Sequence, residues 1–453
     1  MTTATPVPGG TTAGRSPSSQ PTIPGRSRSG LAVTGLCFLA IVFDGYDLVI
    51  FGSTVPSLLA DEAWSIDAAQ VGVIGSLALV GMLIGTLFVG ALTDILGRRT
   101  IMMLSIAWFS IFMLATALAP TPELFGVFRF VTGIGLGGVV PTCVAMTVEF
   151  APKPRRQITN AVMYSGYSVG GVLAAVLALL ALPTVDFRWL YAFGALPLVV
   201  LLPVVHLLMP ESIAFLASKG RQDEARATAA RYGVVYEDVV TPTDAGAAVE
   251  SGRFSALKVL FSGPMLVATI LFGLASFCGL LLVYGMNTWL PAIMRQAGYE
   301  LGSSLVFLLS LNAGAIVGAI TASHVADRIG VKKVVTACFA IALTSTLLLS
   351  VELPYALLLL IVAFAGLGSV GTQILINGFV ATHYPQTSSA TALGWSLGVG
   401  RLGAIAGPLI GGYVAALGTG YEVNFYVFAA VALAGGIVIA AVPAARAVAR
   451  STS

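Results

Sequence analysis

Four ionisable side chains stand where a membrane would make them costly. The stretch "FDGYDLVIFG" (residues 43–52) carries Asp44 and Asp47 inside a run otherwise apolar enough to span a bilayer. An aspartate at the centre of a hydrocarbon-embedded helix costs roughly 2.5–3.5 kcal/mol. The i, i+3 spacing sets the two carboxylates about sixty degrees apart, so both can face one cavity. Neighbouring carboxylates repel and desolvation disfavours their charged forms, which suits such a pair to take up and release a proton. Arg129 and Arg401, in "FRFVTGIGLGG" and "GVGRLGAIAGP", are the intramembrane cations. Arg129 lies about 10 Å inside its span, and the aspartates are its natural partners. Arg401 lies near mid-depth in a half of the chain that offers no intramembrane acid. An anionic substrate would supply the missing charge through a two-pronged carboxylate contact. A purely structural Asp–Arg pair, and an Arg401 bonded to backbone carbonyls or water, are the competing readings.

Other candidates surround these four. Tyr164, Tyr284, Asn287 and Trp289 offer rings to stack on an aromatic substrate and groups to bond its hydroxyls, and Gln373 and Asn377 add amides. Each of these is also a normal packing or interfacial residue. Asp94, Arg98 and Arg99 in "GALTDILGRRT", with Asp327 and Arg328 in "SHVADRIGVKK", fit turns that latch helix ends, a gating role. Glu149, near Lys153, Arg155 and Arg156, fits an interfacial ion pair. The four cysteines and three histidines show no paired or ligand spacing, so neither disulfides nor a metal site is expected. "GLGSVG" (366–371) matches a dinucleotide fingerprint literally, but it lies inside an apolar span with no strand before it. Its glycines fit close helix approach instead. No nucleophile–base constellation points to an enzyme.

Long apolar helices must position these residues. The chain has 453 residues, 57% hydrophobic and 9% charged, with a net charge of +3 and a mean hydropathy of +0.94. About a quarter charged is usual for a soluble domain, so this is an integral membrane protein. The basic residues form no patch with interleaved aromatics, which excludes a nucleic-acid partner. Spans are expected over 31–59, 70–93, 100–119, 122–149, 157–181 and 189–209, then 264–293, 303–323, 334–350, 354–381, 389–416 and 422–444. The expected organisation is a disordered tail (1–30), a six-helix bundle (31–209), a central loop (210–258), a second bundle (259–445) and a short tail (446–453). Lys and Arg concentrate on the side that carries both termini, which predicts cytoplasmic termini. Asp94 and Asp327 lie 233 residues apart (327 − 94), and other paired motifs keep a similar offset, as in an internal repeat of six helices. Parallel repeats of this kind build transporters that rock about a site at the bilayer midplane. The scaffold motifs are duplicated; the intramembrane charges are not.

These motifs resemble those of the major facilitator superfamily. "GALTDILGRR" is similar to its loop between the second and third helices, "FRFVTGIGLGG" to its fourth-helix arginine motif, and "PES" (210–212) to the close of its sixth helix. "FDGYDLVIFG" narrows the resemblance to the aromatic acid:H⁺ symporters, whose first helix carries a paired-aspartate motif, and "GVGRLGAIAGP" fits the same subfamily. Val331, and Ile213 with Ala214, depart from the superfamily's loop patterns. The resemblance implies a twelve-helix, all-α, proton-coupled importer of an aromatic carboxylate of the benzoate or hydroxybenzoate type. It would sit in the cell membrane as a monomer, need no cofactor beyond the proton gradient, and feed the breakdown of aromatic compounds. A symporter for a non-aromatic organic acid, or a transporter-like sensor, is the alternative.

Overall fold

A computed structural model describes residues 30–152, 155–240, 260–261, 265–384 and 386–443. The expected N-terminal and C-terminal tails and most of the later central loop fall outside the described residues, as do Lys153 and the side chain of Asp94. Twelve described helices are long and apolar enough to cross a membrane. They are α1 (Gly30–Ala60), α2 (Ala68–Leu96), α3 (Arg98–Ala117), α4 (Pro122–Phe150), α5 (Arg156–Ala181) and α6 (Arg188–Leu208) in the first half. The second half holds α7 (Met265–Gln296), α8 (Leu301–Ile329), α9 (Val331–Leu348), α10 (Tyr355–His383), α11 (Gln386–Ala416) and α12 (Tyr421–Ala441). Two short helices, Ile213–Ser218 and Gln222–Tyr232, follow α6.

Local chemistry sets the ends and irregularities. Asp67 begins α2 with a capping box, accepting from the Gln70 N–H at 2.8 Å while the Gln70 side chain accepts from its own N–H at 2.9 Å. The α6 span is not continuous: a 3₁₀ turn, Leu196–Leu198, separates two short helical pieces. Pro197 supplies no amide hydrogen there, and the ladder tightens around it. In α10, Leu367–Gly371 forms a π-helical turn within "GLGSVG". Buried hydroxyls along the spans donate to carbonyls one turn back, as Thr132 does to Phe128 at 2.8 Å, so few polar groups face hydrocarbon unpaired.

Small residues set the packing inside each half. A methyl group at Gly81 or Gly85 of α2 would lie 2.0 or 2.1 Å from carbonyl oxygens of α4, and Gly133 meets α2 in the same way. In the second half, Gly314 of α8 lies 2.1 Å from the Ala363 carbonyl by the same measure, and Gly318 is crowded by Leu367. Gly81 and Gly314 are 233 residues apart (314 − 81), as are Gly85 and Gly318 (318 − 85). The repeat is thus a repeat of helix–helix contacts.

Between the halves, contact is uneven. Twelve crossings bring the start of α1 and the end of α12 to one side of the bundle, the termini side. On the opposite side the halves touch closely. A methyl at Gly52 would sit 1.9 Å from the Asn287 carbonyl oxygen, and Gly72 meets Pro408 and Gly412. The Ser76 hydroxyl donates to the Ile405 carbonyl at 2.7 Å. Toward the termini side, Gly398 and Gly394 of α11, one and two turns from Arg401 on its face, look into open space. The interface is sealed at one end and open at the other.

Candidate functional site

Near mid-depth, the seal ends in a cavity of about 20 Å³. Asp44 and Asp47 from α1, Arg129 from α4, Tyr167 from α5, and Tyr284 with Thr288 from α7 line it, with apolar side chains of α1 and α2 around them. It has room for a water and not for an aromatic ring. The interface widens on the termini side, below Arg401 and Tyr164, and Tyr164 is 42% exposed.

The two aspartates have different surroundings. Asp47 forms a buried ion pair with Arg129. The Arg129 guanidinium also lies 5.3 Å from the Phe51 ring and 5.8 Å from the Tyr191 ring, which fixes it from two sides. The Tyr191 hydroxyl shares a 2.8 Å hydrogen bond with Thr54, and Tyr46 donates to the Leu190 carbonyl at 2.7 Å. Asp47 is thus held inside a packed aromatic and hydrogen-bonded block. Asp44 is 2% exposed and neither of its oxygens has a hydrogen-bond partner. It shares the cavity wall with Tyr284, whose hydroxyl accepts from Arg401 of the other half at 3.5 Å.

Arg401 has no carboxylate within ion-pair distance among the described residues. Its nearest polar contact is the Tyr284 hydroxyl, at 3.5 Å. Tyr284 shares a 2.9 Å hydroxyl–hydroxyl bond with Tyr167, which joins α5 to α7 across the interface. Asn160, Tyr164 and Tyr167 recur at i, i+4 and i+7 and mark one face of α5. Sequence reasoning selected Tyr164 and missed Tyr167, although the same periodicity carries both.

Several candidates serve elsewhere. Trp289 is fully buried away from the cavity; its indole N–H donates to the Pro408 carbonyl at 2.9 Å and its ring meets Gly411 and Gly412. Asn287 donates to the Val283 carbonyl at 2.8 Å and accepts from Asn312 at 3.0 Å, bracing α7 against α8. The reason is helical phase. Tyr284 and Thr288, one turn apart, face the cavity, while Trp289 is turned well away from that face. Gln373 and Asn377 bond each other at 3.2 Å on α10, and the Gln373 carbonyl oxygen is buried without a partner. They lie outside the cavity wall.

Of the gating residues, Arg98 pairs with Glu149, which also accepts from Ser212 at 2.8 Å and from the Ala214 N–H at 3.0 Å. Glu149 is therefore a buried node among α3, α4 and the segment after α6, with Arg98 as its ion-pair partner. Arg99 donates to the His206 carbonyl, and its N–H donates to Glu211 at 3.1 Å. Asp327 and Arg328 are exposed and make no ion pair among the described residues. The four cysteines are free and buried, and no described cluster of His, Cys, Asp and Glu could hold a metal.

The sequence pattern of the Major Facilitator Superfamily matches residues 37–323 and 304–452. The chain belongs to that superfamily. Within it, the gentisate transporter of Corynebacterium glutamicum is 37% identical over 97% of this chain and 96% of its own length. The benzoate transport protein of Acinetobacter baylyi is 34% identical over 89% of this chain and 87% of its own. These relatives place it in the aromatic acid:H⁺ symporter family. The partially occluded, inward-open xylose transporter XylE of E. coli shares the fold at 17% identity, with a TM-score of 0.74 over 92% of this chain and 98% of that one. The facilitator is a transporter and not an enzyme, and a multi-pass cell-membrane protein.

Proposed function

We propose that this facilitator imports an aromatic carboxylate of the benzoate or hydroxybenzoate type together with protons, by alternating access. The observation that carries the reading is Arg401: a guanidinium at mid-depth, without a carboxylate partner, at the open end of the interface. A substrate carboxylate there gains charge-assisted, two-pronged hydrogen bonds in a site from which water is largely excluded. Tyr164 and Tyr167 line the same approach with rings and hydroxyls. The relatives' substrates, gentisate and benzoate, are carboxylates on an aromatic ring.

Proton coupling falls to the Asp44, Asp47 and Arg129 group, since intramembrane carboxylates are costly unless they are used. The proton gradient then suffices as energy source, and no cofactor is needed. With the termini in the cytoplasm, the open end faces inward and the seal at Gly52, Gly72 and Ser76 is the outer gate. Closure of the termini side would bring the loops holding Arg98, Arg99, Asp327 and Arg328 into play. One protomer holds all of these parts, and we take it as the working unit.

Counterflow in proteoliposomes tests the substrate class: vesicles loaded with unlabelled gentisate or benzoate should take up the labelled acid transiently above equilibrium. Aliphatic acids of similar size should not replace them. Equal exchange of aliphatic acids would move the assignment to a general organic-acid carrier. Binding without any exchange would favour a sensor.

A further inference from the structure

Asp44 and Asp47 are one turn apart, yet only one of them has a counter-charge in contact. Asp47 is committed to Arg129, which aromatic rings hold in turn. Asp44 has no hydrogen-bond donor, and the charges and dipoles around it come from every neighbouring helix. They are Asp47 on α1, Arg129 and Cys143 on α4, Tyr164 and Tyr167 on α5, Tyr284 on α7 and Arg401 on α11. Among these, Arg401 is the cation left over once Arg129 is paired.

We infer that Asp44 alone exchanges the transported proton, and that its carboxylate competes with the substrate's carboxylate for Arg401, which fixes transport at one proton per monoanion. The inference rests on the proposed substrate class and adds which acid titrates and how often. Its basis is charge balance in a water-poor site. Without substrate, Asp44 and Asp47 balance Arg129 and Arg401. A bound monoanion adds one uncompensated negative charge, which is expensive at low dielectric. A proton on an Asp44 oxygen restores neutrality and releases Arg401 to the substrate. A second proton, on Asp47, would leave Arg129 unpaired. When the substrate leaves, Arg401 favours the ionised Asp44 again and the proton departs on the same side. The cycle moves no net charge.

The test uses the full chain in proteoliposomes with labelled gentisate and benzoate. Counterflow first establishes that an acid is carried. Uptake is then driven by a one-unit pH step while potassium and valinomycin clamp the potential. One proton per monoanion limits accumulation to about tenfold, since one pH unit is worth a tenfold ratio, and potentials of either sign should leave that limit unchanged. Accumulation driven by potential alone would overturn the stoichiometry. Asp44→Asn should lose accumulation relative to counterflow in the same vesicles, and its affinity for either acid should no longer depend on pH. An Asp44→Asn protein that still accumulates substrate would overturn the assignment. Infrared difference spectra across a pH titration, without substrate, give an independent reading. A protonated carboxyl band should vanish in Asp44→Asn and persist in the Asp47→Asn, Arg129→Gln double variant. If neither acid shows counterflow or binding, the functional reading fails and the competition with it, while the infrared band still decides whether Asp44 is the titrating group. A band that follows Asp47 would overturn that as well.

Discussion

The two halves share a scaffold and differ in how they hold charge. Gly81 and Gly85 bring α2 against α4, and Gly314 and Gly318 bring α8 against α10 at the same offset. On that common frame the first half buries paired charges: Asp47 with Arg129, and Glu149 with Arg98. Near mid-depth the second half has, among the described residues, one half-buried cation, Arg401, touching the Tyr284 hydroxyl, and a buried amide oxygen of Gln373 with no partner. In its copy of the loop motif Asp327 and Arg328 are exposed, but Lys332, at the place of Arg99 (99 + 233), donates to the Val442 carbonyl at 2.6 Å as Arg99 does to the His206 carbonyl. The first half also holds Asp44, whose buried oxygens have no partner, so each half brings one unpaired charge to the interface. Duplication preserved what packs helices, and divergence lies in what the site must bind.

The comparison is broken most severely by removing one member of the first half's pair. Arg129→Gln leaves Asp47 buried without a counter-charge, which costs about 3–5 kcal/mol. Thermal unfolding in detergent should show a large drop, and Asp47→Asn added to it should recover most of the loss. A single variant as stable as the double would show that the pair is not held dry.

The same operation on the second half should act on binding and not on folding. Arg401→Ala should weaken an aromatic acid by about 2–5 kcal/mol if the contact is desolvated, while the matching neutral amide loses much less. Arg401→Lys keeps the charge without the planar fork and should fall between. Binding isotherms for acid and amide on each protein form a cycle that isolates the charge contact. Equal losses for acid and amide would make Arg401 a helix support.

Much of this contrast is legible in the sequence, because hydrophobic length and charge placement are one-dimensional signals. The spans lie within a few residues of expectation, and the unduplicated charges Asp44, Asp47, Arg129 and Arg401 gather at the interface as their rarity suggests. What is not legible depends on rotation about a helix axis. Trp289 and Asn287 share a span with Tyr284 but point into helix contacts, and Tyr167 does face the cavity. Glu149 finds Arg98, 51 residues away in sequence (149 − 98), because α3 and α4 are antiparallel and their ends meet. The π turn in α10 and the break in α6 are decided by packing and by a single proline, below the resolution of a hydropathy window.

A milder change addresses the contact between the halves. Tyr167→Phe keeps the ring and removes the hydroxyl bond to Tyr284, a loss of about 0.5–1.5 kcal/mol from the conformation closed at the far end. The four native cysteines are buried, so a cysteine placed at Gly398, in the open space, would report that conformation by its labelling rate. The population should shift roughly two- to tenfold away from it. An unchanged rate would make the tyrosine pair incidental to gating.

The smallest effect is expected at Arg328, an exposed arginine of the second half's loop, and it is measured against Arg98, a paired arginine of the first half's loop. Arg328 is exposed and unpaired with any described acid, so Arg328→Ala should change stability by no more than about 0.5 kcal/mol. Arg98→Ala removes the counter-charge of a carboxylate that is 5% exposed, and leaves Glu149 only Ser212 and the Ala214 N–H. Its cost should approach the several kcal/mol of a broken buried pair, reduced because Arg98 itself is 27% exposed on its side chain and water can follow. Parallel unfolding midpoints for the two variants compare the loops directly. If Arg328→Ala costs as much as Arg98→Ala, Arg328 is held by a partner of its own, and the asymmetry between the two loops is gone.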